Sequence, residues 1–222
     1  MSYILNIETA TTNCSVSLSY KGETLCLKED NEVNYSHAEK LHVFIDDVLK
    51  QAKISKEKLD AIAVSKGPGS YTGLRIGVSA AKGLCYALDL PLISVPTLES
   101  LAHQIDSTDG YIIAMLDARR MEVYSAIFSA TKKLVRETKA EVIDENSFET
   151  YLREKAHFIG SGVEKTKNII DHNNAIFIEN KLPSANDMSY LAFNKYEASD
   201  FEDVAYFEPY YLKDFIALKP KP

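Results

Sequence analysis

Apolar and polar positions along the chain fall into two rhythms. Tyr3 to Ile7 is almost continuously apolar, as in a strand covered on both faces. Cys14, Val16 and Leu18 then alternate with serines, and Lys21-Gly22 turns the chain into a third strand from Thr24 to Lys28. After this the period lengthens. Leu41, Phe44, Ile45, Val48, Leu49 and Ala52 recur at helical spacing and predict an amphipathic helix from His37 to Ala52. Ala61 to Ser65 reads as a short strand and Gly67-Pro68-Gly69 as a turn. A helix follows from Gly73 to Leu88, with Ser70 or Thr72 placed to cap it. Leu92 to Val95 is a strand, and Pro96-Thr97-Leu98-Glu99 opens a further helix.

At Asp106-Ser-Thr-Asp-Gly110 the chain turns polar and the plan restarts. Strands are predicted at Tyr111–Leu116, Glu122–Ser129, Lys133–Thr138, His157–Ile159 and Ala175–Ile178. Helices are predicted at Ser147–Lys155, Val163–Ile170 and Ala185–Tyr196. Three strands followed by alternating helix and strand, twice over, imply two α/β halves of one architecture. The halves are residues 1–105 and 106–216, with 217–222 a frayed tail.

The helix from Gly73 departs from the ordinary surface pattern. Its polar residues Arg75, Ser79, Lys82, Tyr86 and Asp89 form one narrow stripe, and nearly everything else is apolar or small. A surface helix needs an apolar sector of only about 100°. One face packs on its own sheet, and the excess needs another cover. The second half of the chain is one candidate. A helix of another subunit is the other, since Gly73, Gly77, Ala80 and Ala81 permit close approach.

Composition narrows the functional classes. The net charge is −7, and acids exceed bases in both halves, which disfavours a nucleic acid gripped by this chain alone. Cys14, Cys26 and Cys85 have neither disulfide nor zinc spacing and suit packed thiols in a reducing compartment. The first residues lack the basic start of a signal peptide, and charges interrupt every apolar run, so a cytoplasmic protein is expected.

Candidate chemistry is sparse. Glu8-Thr-Ala-Thr-Thr lies between two strands, where Glu8, Thr9 and Thr11 would either line a phosphate or tie a turn. The equivalent place in the second half, Asp117-Ala-Arg-Arg-Met121, has no glycine to close on a phosphate. Gly160-Ser-Gly162, between a strand and a helix, would either lie beside an adenine or form a plain turn, and the turn is favoured. Gly67-Pro-Gly69 fits neither a P-loop nor a dinucleotide fingerprint. His37 and His42 lie about 140° apart on a helix, so no metal site is expected. No serine sits in a nucleophile elbow.

Several stretches together resemble one family. Ile4-Leu-Asn-Ile-Glu-Thr-Ala-Thr, Cys14-Ser-Val-Ser-Leu, Ser36-His-Ala-Glu-Lys-Leu41, Gly67-Pro-Gly-Ser-Tyr-Thr-Gly-Leu-Arg-Ile-Gly, Asp117-Ala-Arg-Arg-Met-Glu-Val-Tyr and Glu208-Pro-Tyr-Tyr-Leu-Lys213 are similar to the TsaB (YeaZ) family. The resemblance implies an actin-like, Hsp70-like ATPase (ASKHA) fold of two RNase-H-like halves. It implies a non-catalytic subunit that pairs with TsaD, through its first two helices, to form N6-threonylcarbamoyladenosine beside the tRNA anticodon. TsaE and an adenine nucleotide (ATP or ADP) join that assembly, with nucleotide at the complex interface and tRNA met only through the complex. Catalysis and metal binding belong to TsaD on this reading. The expected interface comprises Leu41, Phe44, Ile45, Tyr71, Thr72, Gly73, Leu74, Gly77, Val78 and Ala81, with a homodimer through the same helices when TsaD is absent. The rival reading is an autonomous ATPase or sugar-kinase-like phosphotransferase, with Glu8 and Asp117 handling magnesium.

Overall fold

Strands apolar on both faces belong at the middle of a sheet, and that is where they lie. The structure, a computed structural model, describes residues 2–31, 37–107 and 109–213. In the first sheet, β1 (Tyr3–Glu8) pairs antiparallel with β2 (Cys14–Tyr20) and parallel with β4 (Ala61–Gly67). β3 (Glu23–Asp30) and β5 (Leu92–Pro96) complete the order β3-β2-β1-β4-β5. In the second sheet, β6 (Tyr111–Asp117) takes the place of β1, between β7 (Glu122–Ser129) and β9 (Ala156–Ile159). β8 (Leu134–Val142) and β10 (Ala175–Ile178) form its edges. The repeated element order is thus a repeated topology.

α1 (His37–Ala52) and α2 (Tyr71–Leu88) lie on one face of the first sheet. Leu41, Ile45 and Val48 of α1 join Val78, Ala81 and Cys85 of α2 in a core with Leu5, Ile7, Val16, Leu18 and Val64. The other faces are covered by exchange between the halves. α3 (Thr97–Ala102) buries Leu98, Leu101 and Ala102 against Ile112, Ala114 and Phe128 of the second sheet. α5 (Ala185–Glu197) lays Met188, Leu191 and Ala192 on Ile4, Ala61, Ala63 and Ile93 of the first. The sheets therefore separate between Pro96 and Tyr111, while one helix from each side crosses over.

This exchange explains the serines of β2. Alternation predicts one solvated face, yet Ser15, Ser17 and Ser19 are fully buried beneath α5. Buried hydroxyls need partners. Ser17 Oγ donates to Ala185 O at 2.8 Å, Ala185 N donates to Ser15 Oγ at 3.0 Å, and Asn6 Nδ2 donates to Ser17 Oγ and Ser19 Oγ at 3.0 and 3.1 Å.

Two predicted helices are corrected. Ser147–Lys155 is a run of turns, with Phe148 in the left-handed region (φ 66°), a conformation that breaks a right-handed helix. Its Phe148 and Leu152 still reach the core of the second half. The helix at Val163–Ile170 is shorter than expected: α4 spans Val163–Thr166 and continues as turns. Ser36 and the tail 217–222 lie outside the described residues.

Candidate docking surface

The strand–turn–helix segment forms as the sequence predicts. Ser70 caps α2, its Oγ accepting from Gly73 N at 3.3 Å. The glycines of α2 have a different purpose from the one expected. A Cβ on Gly73 would lie 2.1 Å from Thr9 O, and one on Gly77 would lie 2.2 Å from Thr9 Oγ1. Thr9 Oγ1 donates to Gly73 O at 2.8 Å, and Ser70 N donates to Ala10 O at 2.7 Å. Gly73 and Gly77 therefore let α2 close onto the β1–β2 turn of its own chain.

That closure decides the character of the turn. Glu8 is fully buried, its Oε1 accepting from Ala10 N at 2.6 Å and Ser65 Oγ at 2.8 Å, and its Oε2 has no partner among the described residues. Burial pushes the Glu8 carboxyl up to about 7, against the opposing effect of those hydrogen bonds. Thr11 O is bonded to His37 Nε2 at 2.7 Å, which pins the start of α1 to the turn. Burial lowers the pKa of that imidazole. Glu8, Thr9 and Thr11 are buried and each is bonded within the chain, the arrangement of a tied turn.

The expected docking residues divide in the same way. Leu41, Ile45, Gly73, Leu74, Gly77, Val78 and Ala81 are buried inside the chain's own core, so they are corrected from interface to interior. Thr72 is exposed, and Phe44 and Tyr71 are half-buried at its margin. The open strip of α2 instead runs through Thr72, Ser79, Gly83 and Ala87, with Ile76 and Ala80 half-buried against the core along its edge. A Cβ on Gly83 would meet nothing within 4 Å. Tyr86 near the end of α2 is 87% exposed, and Val43 on α1 is 55% exposed.

One flank of α2 carries a cover that the sequence pattern missed. Residues 202–211 return from α5 as a strap. Lys82 Nζ donates to Ala205 O and Phe207 O at 3.1 and 3.0 Å. Arg75 lies 4.1 Å from the Tyr71 ring centroid and donates to the Tyr211 hydroxyl, while Tyr71 and Tyr211 stack at 4.9 Å. Val204 and Phe207 complete the apolar contact. The periodicity of α2 announced excess apolar surface; the aromatic residues of 201–211 were the only hint of what covers part of it.

In the second half, Asp117 is exposed and paired with Lys165, and its Oδ1 accepts from Arg119 N at 2.8 Å. Arg119 and Arg120 both take positive φ, making a tight turn where glycine was looked for. Gly160-Ser161-Gly162 is a turn, with Gly160 pressed on Met115 O and Ser161 Oγ accepting from Asp117 N. His37 is buried and His42 exposed, and no group of three metal-ligating side chains occurs among the described residues. All three cysteines are buried free thiols, and burial raises Cys14 to about 11 and Cys85 to about 12.

Two three-strand-led sheets in the same order, with helices exchanged between them, define an actin-like ATPase fold. A structure of the activator of 2-hydroxyisocaproyl-CoA dehydratase from Clostridium difficile shares that fold alone (TM-score 0.50, 11% identity, 90% of this chain and 96% of that one). A family model described as "TsaD: tRNA N6-adenosine threonylcarbamoyltransferase" matches residues 31–220. YeaZ from Pseudomonas aeruginosa superposes with a TM-score of 0.82 at 27% identity, covering 96% of this chain and 100% of that one. The tRNA threonylcarbamoyladenosine biosynthesis protein TsaB of Escherichia coli is 30% identical over 233 residues, 99% of this chain and 98% of the relative. Its Haemophilus influenzae counterpart is 35% identical over 127 residues, about half of each chain. The chain belongs to the TsaB family. No helix among the described residues is long and apolar enough to cross a membrane.

Proposed function

We propose that this chain serves in forming N6-threonylcarbamoyladenosine in tRNA, as the non-catalytic scaffold subunit that pairs with TsaD in the cytoplasm. The observation that carries the reading is the open strip of α2 centred on Gly83, built of small side chains and edged by the half-buried Ile76 and Ala80. A bare strip of this kind suits a helix laid across it. TsaD supplies the transfer chemistry on this reading, and TsaE and an adenine nucleotide join at the assembled complex. On this reading Glu8, Thr9 and Thr11 tie the β1–β2 turn, and the nucleotide sits at the junction with TsaD. In the absence of TsaD, a second copy of this chain takes the same strip.

Gly83→Trp tests the proposal, because the added ring projects into open space in the isolated chain. The variant is expected to melt like the parent yet bind TsaD at least a hundredfold more weakly by calorimetry. Unchanged affinity would remove α2 as the docking surface. The rival phosphotransferase reading requires ATP hydrolysis by the purified chain that Glu8→Gln abolishes.

A further inference from the structure

The strap over α2 also opens a cleft of about 590 Å³ against β4, lined by Lys66, Glu202, Tyr206, Glu208, Tyr210 and Tyr211 among others. Several of these groups are free of hydrogen bonds. Glu208 and the hydroxyls of Tyr206 and Tyr210 make none among the described residues, although the Glu208 carboxylate acts at a distance on the Arg75 guanidinium. The Tyr206 ring is 84% exposed and that of Tyr210 is 45% exposed. Glu202 is only partly occupied, one oxygen accepting from Ser94 Oγ.

The chemistry of the walls selects a sign of charge. Aromatic faces carry negative potential. The carboxylates of Glu202 and Glu208 stand beside the Lys66 ammonium in the lining and the Arg75 guanidinium at its rim, so the exposed tyrosine faces set the preference for a cation. The strap already holds one cation in this manner, since the Arg75 guanidinium lies over Tyr71 and 6.0 Å from the Tyr211 centroid. Tyr211 belongs both to that stack and to the cleft, so the cleft begins where the first turn of α2 ends. We propose that this cleft receives an arginine or lysine side chain of the protein that docks on α2, anchoring it at the edge of the open strip. The inference rests on the docking reading given above and names the chemistry of one partner residue.

Tyr206→Ala and Glu208→Lys test it, since both side chains are exposed and the fold does not depend on them. Each variant should weaken binding to TsaD about tenfold, the range of a desolvated cation–aromatic contact. Glu208→Lys should also flatten the salt dependence of the association rate. If Gly83→Trp weakens binding while Tyr206→Ala and Glu208→Lys leave it unchanged, this inference falls and the docking surface stands. If all three leave affinity unchanged, both fall. Loss of self-association by Tyr206→Ala with TsaD affinity intact would assign the cleft to a second copy and overturn the proposal. A chain ending at Lys213 should bind TsaD like the full chain, and tighter binding would make the chain's own last residues the occupant, again overturning it.

Discussion

The inner and outer faces of α2 use the same residue type for opposite ends. Gly73 and Gly77, on the inner face, sit where a methyl group would fall within 2.1 and 2.2 Å of Thr9 atoms. Gly83, on the outer face, has open space around it. A glycine in a helix costs about 1 kcal/mol relative to alanine, so each needs a reason. Inside, the reason is contact with the chain's own turn. Outside, no intramolecular contact supplies one, and the docking proposal fills that gap.

The comparison can be broken most severely from the inside. Gly73→Val should abolish the native fold or lower the melting temperature drastically, because the obstructing atom is a backbone carbonyl that cannot swing away. A variant melting like the parent would mean that α2 does not rest on the turn. Glu8 sharpens the same point through pH. An acid whose folded pKa is raised costs nothing below about pH 4.5, where both states are protonated, and destabilises progressively as pH climbs toward about 7. Glu8→Gln should therefore flatten the fall in stability across that window, a difference on the order of a few kcal/mol by pH 7. Parallel pH profiles for the two proteins would place the Glu8 carboxylate in contact with water. The smallest effect belongs to the outside: Gly83→Ala should raise stability by about 0.5–1 kcal/mol in thermal melts, whereas an inner-face glycine so replaced loses stability.

Much of the fold is legible in the residues themselves. The order of elements in each half follows from the switch between two-residue and helical periodicity, and of the two hydroxyls placed to cap α2 the structure uses Ser70. Local signals failed where distant contacts decide. Ser15, Ser17 and Ser19 look like a solvated face because their partner, α5, is coded far downstream. Ser147–Lys155 carries a helical pattern, but Phe148 turns left-handed to enter the second core. The docking stripe was misassigned for a related reason. Hydrophobic periodicity says how wide an apolar sector is, not which part meets the chain's own sheet, so seven interior residues were read as surface. The strap could be suspected only from its aromatic content.

The crossing of α5 has a consequence for how the molecule comes into being. During synthesis β1, β2, β4 and β5 emerge early, yet the cover for one of their faces is not made until Ala185–Glu197 leaves the ribosome. That side must wait in water for most of translation, a delay that the hydroxyls of Ser15, Ser17 and Ser19 tolerate, while Ile4, Ala63 and Ile93 stay bare until α5 arrives.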